Sequence, residues 1–339
     1  MADETTPFVV CYTGEHPPAA VRDRAAAAGI LLTPLLGDLA SERTEDMAAR
    51  RLSRLRPRGY VMNYPHGPYL SAALVDAAEC LGIVSFMGPS LALEDHVRFM
   101  DVEYLLERGV LLTAAPGCTT ISVAEGTLAL LLAVNLGLVM ANQACKAGLI
   151  WQRTRPTLYG ASLGIVGMGN IGQRVARLAY ALGMRILYSS RTRHWRIEDD
   201  LGAQYVDLPT LFEQSDYVSI HSTAALTQGL IGRELLSRAR GAALINTADA
   251  TIVDPDALLE ALDRGWIRIA AFDDRYPPPH QARFDALGDD RFLVLPFISW
   301  DTSHYRERGW ELCLESQLAF KEARPVPYQL VRPSLPETH

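Results

Sequence analysis

Hydrophobic positions along the chain follow two rhythms that alternate, and the alternation occurs in two separate stretches. In the first hundred residues, short apolar runs at Phe8–Tyr12, Gly59–Met62 and Gly82–Phe86 are separated by helical patterns over Pro18–Ala28 and Ala72–Leu81. This is the βα repeat of an α/β domain. From Ser162 the rhythm resumes, with strand-like runs at Leu163–Val166, Met184–Tyr188, Tyr217–His221, Ala242–Asn246, Ile267–Phe272 and Phe292–Leu295. Helical stretches separate most of them, which predicts a second doubly wound sheet. Between the two stretches, Ser122 to about Lys146 is apolar on nearly all sides (LALLLAVNLGLVMA). Such a pattern predicts one long helix buried all round, expected to act both as a strut between domains and as a homodimer contact. After about Arg306 another amphipathic helix is predicted, ended by the proline-bearing segment ARPVPYQLVRP. No repeat of solenoid period and no low-complexity segment interrupts this order.

The second α/β stretch opens with SLGIVGMGNIG, residues 162–172. An apolar strand runs directly into Gly167, Gly169 and Gly172, and a helix follows with Ile171, Val175, Leu178, Ala179 and Leu182 on one face. Three glycines in this context predict a dinucleotide site: one for a tight turn, one for close approach of the pyrophosphate, one for helix-on-strand packing. Met168, Asn170 and Ile171 complete the loop. A dinucleotide domain that prefers NAD places an acid at the end of its second strand. Here RILYSSRTR ends in Ser190, followed by Arg191 and Arg193. A hydroxyl and two guanidinium groups suit a ribose phosphate, so NADP(H) is expected over NAD(H). The alternative is that both arginines are solvated charges at a helix start.

With 339 residues and a net charge of −7, the chain is long enough for two cores and lacks a dominant basic surface. Nucleic acid and anionic membrane are therefore not expected as main partners; a small-molecule substrate is. Cys11, Cys80, Cys118, Cys145 and Cys313 are scattered, without the paired spacing of a zinc site or a disulfide framework, so no metal is expected. MADETTPFVV has no secretory pattern, and the longest apolar stretch, Leu128–Val139, is too short to span a bilayer. A cytoplasmic location is the resulting expectation.

The order of motifs resembles the D-isomer-specific 2-hydroxyacid dehydrogenases. The resemblance covers most of the chain and includes SVAEGTLALLL, GMGNIG, SDYVSIH, GAALINTA, VDPDALLEAL and the AAFD strand before a proline-rich loop. It implies an α/β fold of two Rossmann-like doubly wound domains, the cofactor domain (residues 119–306) being inserted into a flavodoxin-like substrate domain (residues 1–118 plus 307–339), with substrate bound between them. It further implies cofactor contacts from His221 and Ser222, from Thr247 and Ala248, from Asp273 near the nicotinamide carboxamide, and from Ser299.

Three positions depart from that family. Its substrate-binding Arg follows Asn-Thr-Ala, and here Asn246-Thr247-Ala248 is followed by Asp249. The Glu that tunes the catalytic His falls at Pro278, and the His itself falls at Phe297, after Pro296. The loop HSTAALTQGLI also lacks the family's proline and is one residue short. Two like charges at roughly 4 Å repel by about 4 kcal/mol at an effective dielectric near 20, so a 2-oxo acid carboxylate is disfavoured beside Asp249. Loss of the general acid removes a further factor of about 10²–10⁴ in rate. Asp249 either orients a cationic or hydroxylated substrate or pairs internally with Arg275 or a neighbouring arginine. His66, His96, His304 and Tyr276 are the other candidates for proton transfer, and Phe297 with Trp300 forms an aromatic wall suited to a larger, less anionic substrate. The expected activity is an NADP-dependent oxidoreductase with a rebuilt active site acting on a non-standard substrate, in a setting such as specialised metabolism. The alternatives are a non-redox lyase, isomerase or cyclase on the same fold, and a cofactor-binding sensor without turnover.

Overall fold

The computed structural model describes residues 7–35, 44–63, 67–91, 96–97, 99–150, 154–223 and 227–330. They fall into two units, Met1–Thr119 with Thr302–His339, and Thr120–Asp301. The first unit carries β1 (Phe8–Tyr12), α1 (Ala19–Ala27), β2 (Ile30–Pro34), α2 (Thr44–Leu55), β3 (Gly59–Met62), α3 (Ala72–Ala77), β4 (Ile83–Phe86), α4 (Val102–Glu107) and β5 (Leu111–Thr113). Its strands are parallel in the order β2-β1-β3-β4-β5, the flavodoxin-like arrangement. β1, β3 and β4 are buried along their whole length, as a parallel sheet covered on both faces requires. The sequence pattern passes over β2 and β5: β2 is an edge strand buried only at Ile30, and β5 spans three residues. α3 stops four residues short of its apolar pattern, and Gly82 then donates its N–H to Arg58 O as the chain enters β4.

The second unit begins with α5 (Thr120–Leu136) and α6 (Leu138–Lys146). β6 (Ser162–Val166), α7 (Asn170–Ala181), β7 (Arg185–Ser189), α8 (Trp195–Leu201), β8 (Gln204–Tyr205), α9 (Leu208–Gln214) and β9 (Tyr217–Ile220) follow. α10 (Arg233–Leu236), β10 (Ala242–Asn246), α11 (Pro255–Arg264), β11 (Ile267–Phe272), α12 (His280–Asp285) and β12 (Phe292–Val294) complete it. All seven strands are parallel, in the order β12-β11-β10-β9-β6-β7-β8. Successive residues of each strand face opposite sides. Leu163, Ile165, Ala243 and Ile245 therefore pack with α5 and α7, while Val166, Val218, Leu244 and Phe272 pack with α9 and α11.

The single long helix expected over Ser122–Lys146 is two helices. They meet at Gly137, whose φ of +65° is left-handed, and they bend by 56°. Burial all round is likewise corrected: Leu132, Leu136 and Leu138 are exposed, and α6 has no buried residue. An all-round apolar pattern predicts full burial only while the helix runs straight through a core, and α6 has turned away from it. Among the described residues no single helix is long and apolar enough to cross a membrane.

α13 (Ser303–Lys321) returns to the first unit. The Thr302 hydroxyl caps it, accepting from Tyr305 N at 3.2 Å. Tyr305 Oη donates to Met87 O at 2.6 Å, Trp310 packs edge-on to Tyr12, and Gln317 Nε2 donates to Ser85 Oγ at 2.9 Å. These contacts fix the change of unit at Asp301/Thr302.

Leu244→Ala, in the fully buried centre of β10, is expected to cost about 2–5 kcal/mol of stability. Gly137→Ala is expected to cost about 1–2 kcal/mol, because alanine resists the left-handed backbone there. Urea unfolding curves of the two variants check both.

Candidate cofactor and active site

Because every strand of the second unit runs the same way, the carboxyl ends of β6, β7, β9, β10, β11 and β12 share one edge of the sheet. Nearly every cofactor candidate lies on that edge: Gly167 after β6, Ser190 after β7, His221 and Ser222 after β9, Thr247 and Ala248 after β10, Asp273 after β11. The chain leaves β6 toward β7 on one side, while β9 pairs on the other, which makes β6/β9 the switch point where open α/β sheets bind ligands.

The three glycines of the first loop do three jobs. Gly167 has φ +94°, and a Cβ there would lie 2.7 Å from His221 O. At Gly172 a Cβ would lie 2.1 Å from Gly167 O, so α7 crosses the loop at a distance only hydrogen allows. Gly169 is different: it is the N-cap of α7, and a Cβ there would meet nothing within 4 Å. The side chain is absent where the chain itself leaves open space, at a helix N-terminus whose first N–H groups lack intrahelical partners. Those groups belong to Asn170, Ile171 and Gly172. A pyrophosphate fits this cradle. Met168 is fully buried, and its carbonyl accepts from Gln173 Nε2 at 3.1 Å, so its side chain anchors the loop from beneath.

The ribose end is more constrained than the sequence implies. Ser190 is half-buried and its carbonyl accepts from Tyr205 Oη at 3.1 Å. Arg191 is exposed and makes no ion pair among the described residues. Arg193 is not a solvated charge: Nε and Nη2 close on Glu198 at 2.9 and 2.8 Å, and its guanidinium lies 3.6 Å over the Trp195 ring. Glu198 also accepts from the buried Tyr188 Oη at 2.6 Å. Arg193 and Tyr188 together hold the Glu198 carboxyl down at about 2.

Around the next strand ends, several expected contacts are already engaged inside the protein. Thr127 donates to Val123 O at 2.8 Å, so its oxygen receives the Thr247 hydroxyl proton, also at 2.8 Å, tying Thr247 to α5. Ala248 N donates to Asn246 Oδ1 at 3.0 Å. Asp273 is 2 % exposed, and its two oxygens accept from Ile298 N at 2.9 Å and Ser299 N at 2.7 Å. It therefore holds the loop after β12 in place, with lone pairs left over for one further donor each. Ser299 turns its hydroxyl toward α5, where a Cβ on Gly126 would lie 2.2 Å from its Oγ. The Ser299 side chain fills the notch left by Gly126.

Asp249 is half-buried, and its Oδ1 accepts from Thr251 N at 2.8 Å and Thr251 Oγ1 at 2.5 Å, capping the short 3-10 helix Ala250–Ile252. The internal pair with Arg275 is not formed, since Arg275 pairs with Asp285 at 2.8 Å. Oδ2 of Asp249 makes no hydrogen bond among the described residues. Phe297, where the family resemblance implies a histidine, has φ +56° and is 41 % exposed, with the Trp300 ring centroid 6.2 Å away. A left-handed conformation at a non-glycine residue is strained, and the Asp273 carboxylate is what holds it.

The other proton-transfer candidates fall on separate elements. Tyr276 is a core residue, stacked on Phe284 at 4.7 Å with its hydroxyl donating to Val253 O, and burial pushes its pKa up. Its assignment as a proton donor is corrected on that ground. His304 is exposed on the first turn of α13, in the first unit. His96, also in the first unit, is 1 % exposed, packs 4.6 Å from Phe86, and has Nε2 3.0 Å from Ser90 O. His66 and its neighbour Tyr64 lie outside the described residues. Sequence reasoning missed Glu198, Tyr188 and Gly126. For the first two the available signal was a Glu one helical turn beyond a Trp that follows Arg193.

With this geometry in place, the comparisons with known proteins are specific. Residues 128–299 match the family described as D-isomer specific 2-hydroxyacid dehydrogenase, NAD binding domain. A glyoxylate reductase from Thermococcus litoralis is 35 % identical over 244 residues, covering 68 % of this chain and 73 % of that protein. A hydroxypyruvate reductase from Thermotoga maritima is 31 % identical over 277 residues, covering 79 % and 87 %. Among solved structures, an acyclic imino acid reductase in complex with NADPH and D-Arg shares the fold, with a TM-score of 0.76, 23 % identity, and 95 % and 100 % of the two chains covered. The chain belongs to the D-isomer specific 2-hydroxyacid dehydrogenase family and is an NAD(P)-dependent oxidoreductase of that type.

His221 yields a test of the site's electrostatics. The residue is half-buried overall, but its Nδ1 is enclosed without a hydrogen bond among the described residues, while Nε2 lies 2.8 Å from Ser219 Oγ. Burial pushes its pKa down to about 3. The ring is neutral at physiological pH. An unfolded histidine binds a proton near pH 6.5 and the folded one only near 3, so its contribution is complete above about 6.5 and is lost as pH falls toward 3. His221→Gln is expected to flatten the stability curve between pH 6.5 and 4, measured by urea midpoints. An unchanged slope contradicts it.

Proposed function

We propose that the protein is an NADP(H)-dependent reductase whose substrate is not a simple 2-oxo acid but a larger compound with a cationic or hydroxylated group near the reacting carbon. The observation that carries this is Asp249, an acid with one unbonded oxygen on the ligand-binding edge of the sheet, at the position where the family resemblance implies a carboxylate-binding Arg. An anionic substrate is repelled there, and a cation or a hydroxyl is held. Phe297 and Trp300 supply an apolar wall in place of a proton donor. The cofactor, when bound, supplies a hydride. Proton delivery then falls to water, which suits an imine that arrives already protonated. The imino acid reductase with NADPH and D-Arg bound has the same fold, and that supports the compatibility of this fold with such chemistry in that protein.

In this reading residues 119–306 form the cofactor domain and residues 1–118 with 307–339 the substrate domain. Ser190 and Arg191 carry the preference for NADP(H), and specialised metabolism in the cytoplasm is the setting. The protein is a homodimer. Leu132, Leu136, Leu138 and Ile150 are exposed around the α5–α6 bend, beside a cavity of about 760 Å³ bordered by Val134, Val139, Arg155, Arg268 and Leu293. An apolar face of that kind supports a second copy as its cover.

Titration of the purified protein with both cofactors is expected to give tighter binding of NADPH than of NADH, with Arg191→Ala weakening NADPH roughly tenfold and NADH little. Tighter NADH binding overturns the preference. Asp249→Arg is expected to gain binding of a 2-oxo acid such as glyoxylate, read by calorimetry in the presence of cofactor; no gain removes Asp249 from the substrate site. Light scattering is expected to give twice the monomer mass, and Leu136→Asp to halve it. A monomeric wild type contradicts the dimer.

A further inference from the structure

The ion pair at the ribose end of the cofactor edge has a built-in asymmetry. Glu198 is the fixed partner: its side chain is only 14 % exposed, and Oε1 is held from the sheet side by Tyr188 Oη at 2.6 Å, which itself accepts from His194 N at 2.8 Å. Tyr188 is fully buried and is the penultimate residue of β7. Arg193 is the free partner, 44 % exposed, on the segment between β7 and α8. Its Nε and Nη2 donors are used by Glu198, leaving Nη1 without a hydrogen bond among the described residues. The guanidinium rests on the Trp195 ring at 3.6 Å, with Tyr205 5.6 Å away, and both aromatics are exposed. A planar cation stacked on an exposed ring can slide along it at little cost in desolvation.

We propose that Glu198 is a specificity-determining residue that competes with the ribose phosphate of the dinucleotide for Arg193. This rests on the reading that the site accepts NADP(H). Four residues beyond the end of β7, Arg193 lies where the adenine ribose of a doubly wound domain is bound. While it is closed on Glu198 the pair carries no net charge, and its side-on fork, the one that suits a phosphate, is occupied. A phosphate dianion gains the Nε–Nη2 fork of Arg193 only by displacing that carboxylate, and it also meets the Glu198 charge. Discrimination for the phosphorylated cofactor is thereby held below what Ser190, Arg191 and Arg193 supply together. Glu198 reduces affinity for NADPH specifically; NADH has no group that calls on Arg193.

The test measures dissociation constants of NADPH, NADH, adenosine 2′-monophosphate and adenosine 5′-monophosphate for wild type, Glu198→Gln, Arg193→Ala and the double variant, by calorimetry. Glutamine keeps an acceptor for Tyr188, so the fold is retained. Glu198→Gln is expected to tighten NADPH and adenosine 2′-monophosphate by roughly tenfold and to leave the two ligands that lack a 2′-phosphate within twofold. In the Arg193→Ala background the gain is expected to shrink to threefold or less. Trp195 fluorescence is a second readout: the 2′-phosphate probe is expected to change it in wild type, since it draws the guanidinium off the ring, and the 5′-phosphate probe to change it less. No tightening with Glu198→Gln, equal tightening of all four ligands, or a full gain without Arg193 overturns the proposal. If wild type prefers NADH while Glu198→Gln still gains on the 2′-phosphate ligands, the cofactor preference fails and the competition stands.

Discussion

Seven strands that run one way, with apolar side chains on both faces, constrain everything else in the second unit. Each strand must be followed by a return over a face of the sheet, so every carboxyl end opens on the same edge. The cofactor loop, the ribose position, Asp249, Asp273 and the aromatic pair Phe297 and Trp300 come from distant parts of the chain and meet on that edge for this reason alone. The strand cores tolerate little: Leu244, Ile245 and Ala271 are fully buried between two helical layers. At the edge itself Thr247, Asp273 and Ser299 are buried as well.

Parts of the structure were legible in the sequence because they depend on neighbours a few residues away. The strand runs, the glycine triplet and the last helix are of this kind. What escaped depends on contacts between distant residues. The break at Gly137 looks like an ordinary glycine within an apolar helix until the chain is seen to turn away from the core. Tyr276 sits in a proline-rich loop, a context that suggests exposure, yet its ring fills the core beside Phe284. Arg193 reads as a phosphate ligand, and only the folded position of Glu198 shows that the guanidinium already has a partner.

The site separates into a part built for a cofactor and a part that departs from its relatives. At Gly169 the chain leaves open space beside unpartnered helix amides, and at His221 it leaves a neutral ring nitrogen. The open space at Gly169 fits the NAD-binding domain that the family defines. Tyr276 donates its hydroxyl to Val253 O, and His304 is exposed on α13.

Gly126 and Ser299 have a consequence for how such a chain can change. The hydroxyl of one occupies the space the other lacks, so any side chain introduced at position 126 collides with Ser299 unless that residue is first reduced to glycine. The two positions are 173 residues apart in sequence, yet they behave as one hereditary unit. Enlarging the helix before trimming the loop sets a Cβ 2.2 Å from the Ser299 hydroxyl, whereas trimming the loop first removes that contact. History at this edge is therefore directional: the order of steps, and not only their sum, decides which neighbouring proteins the chain can become.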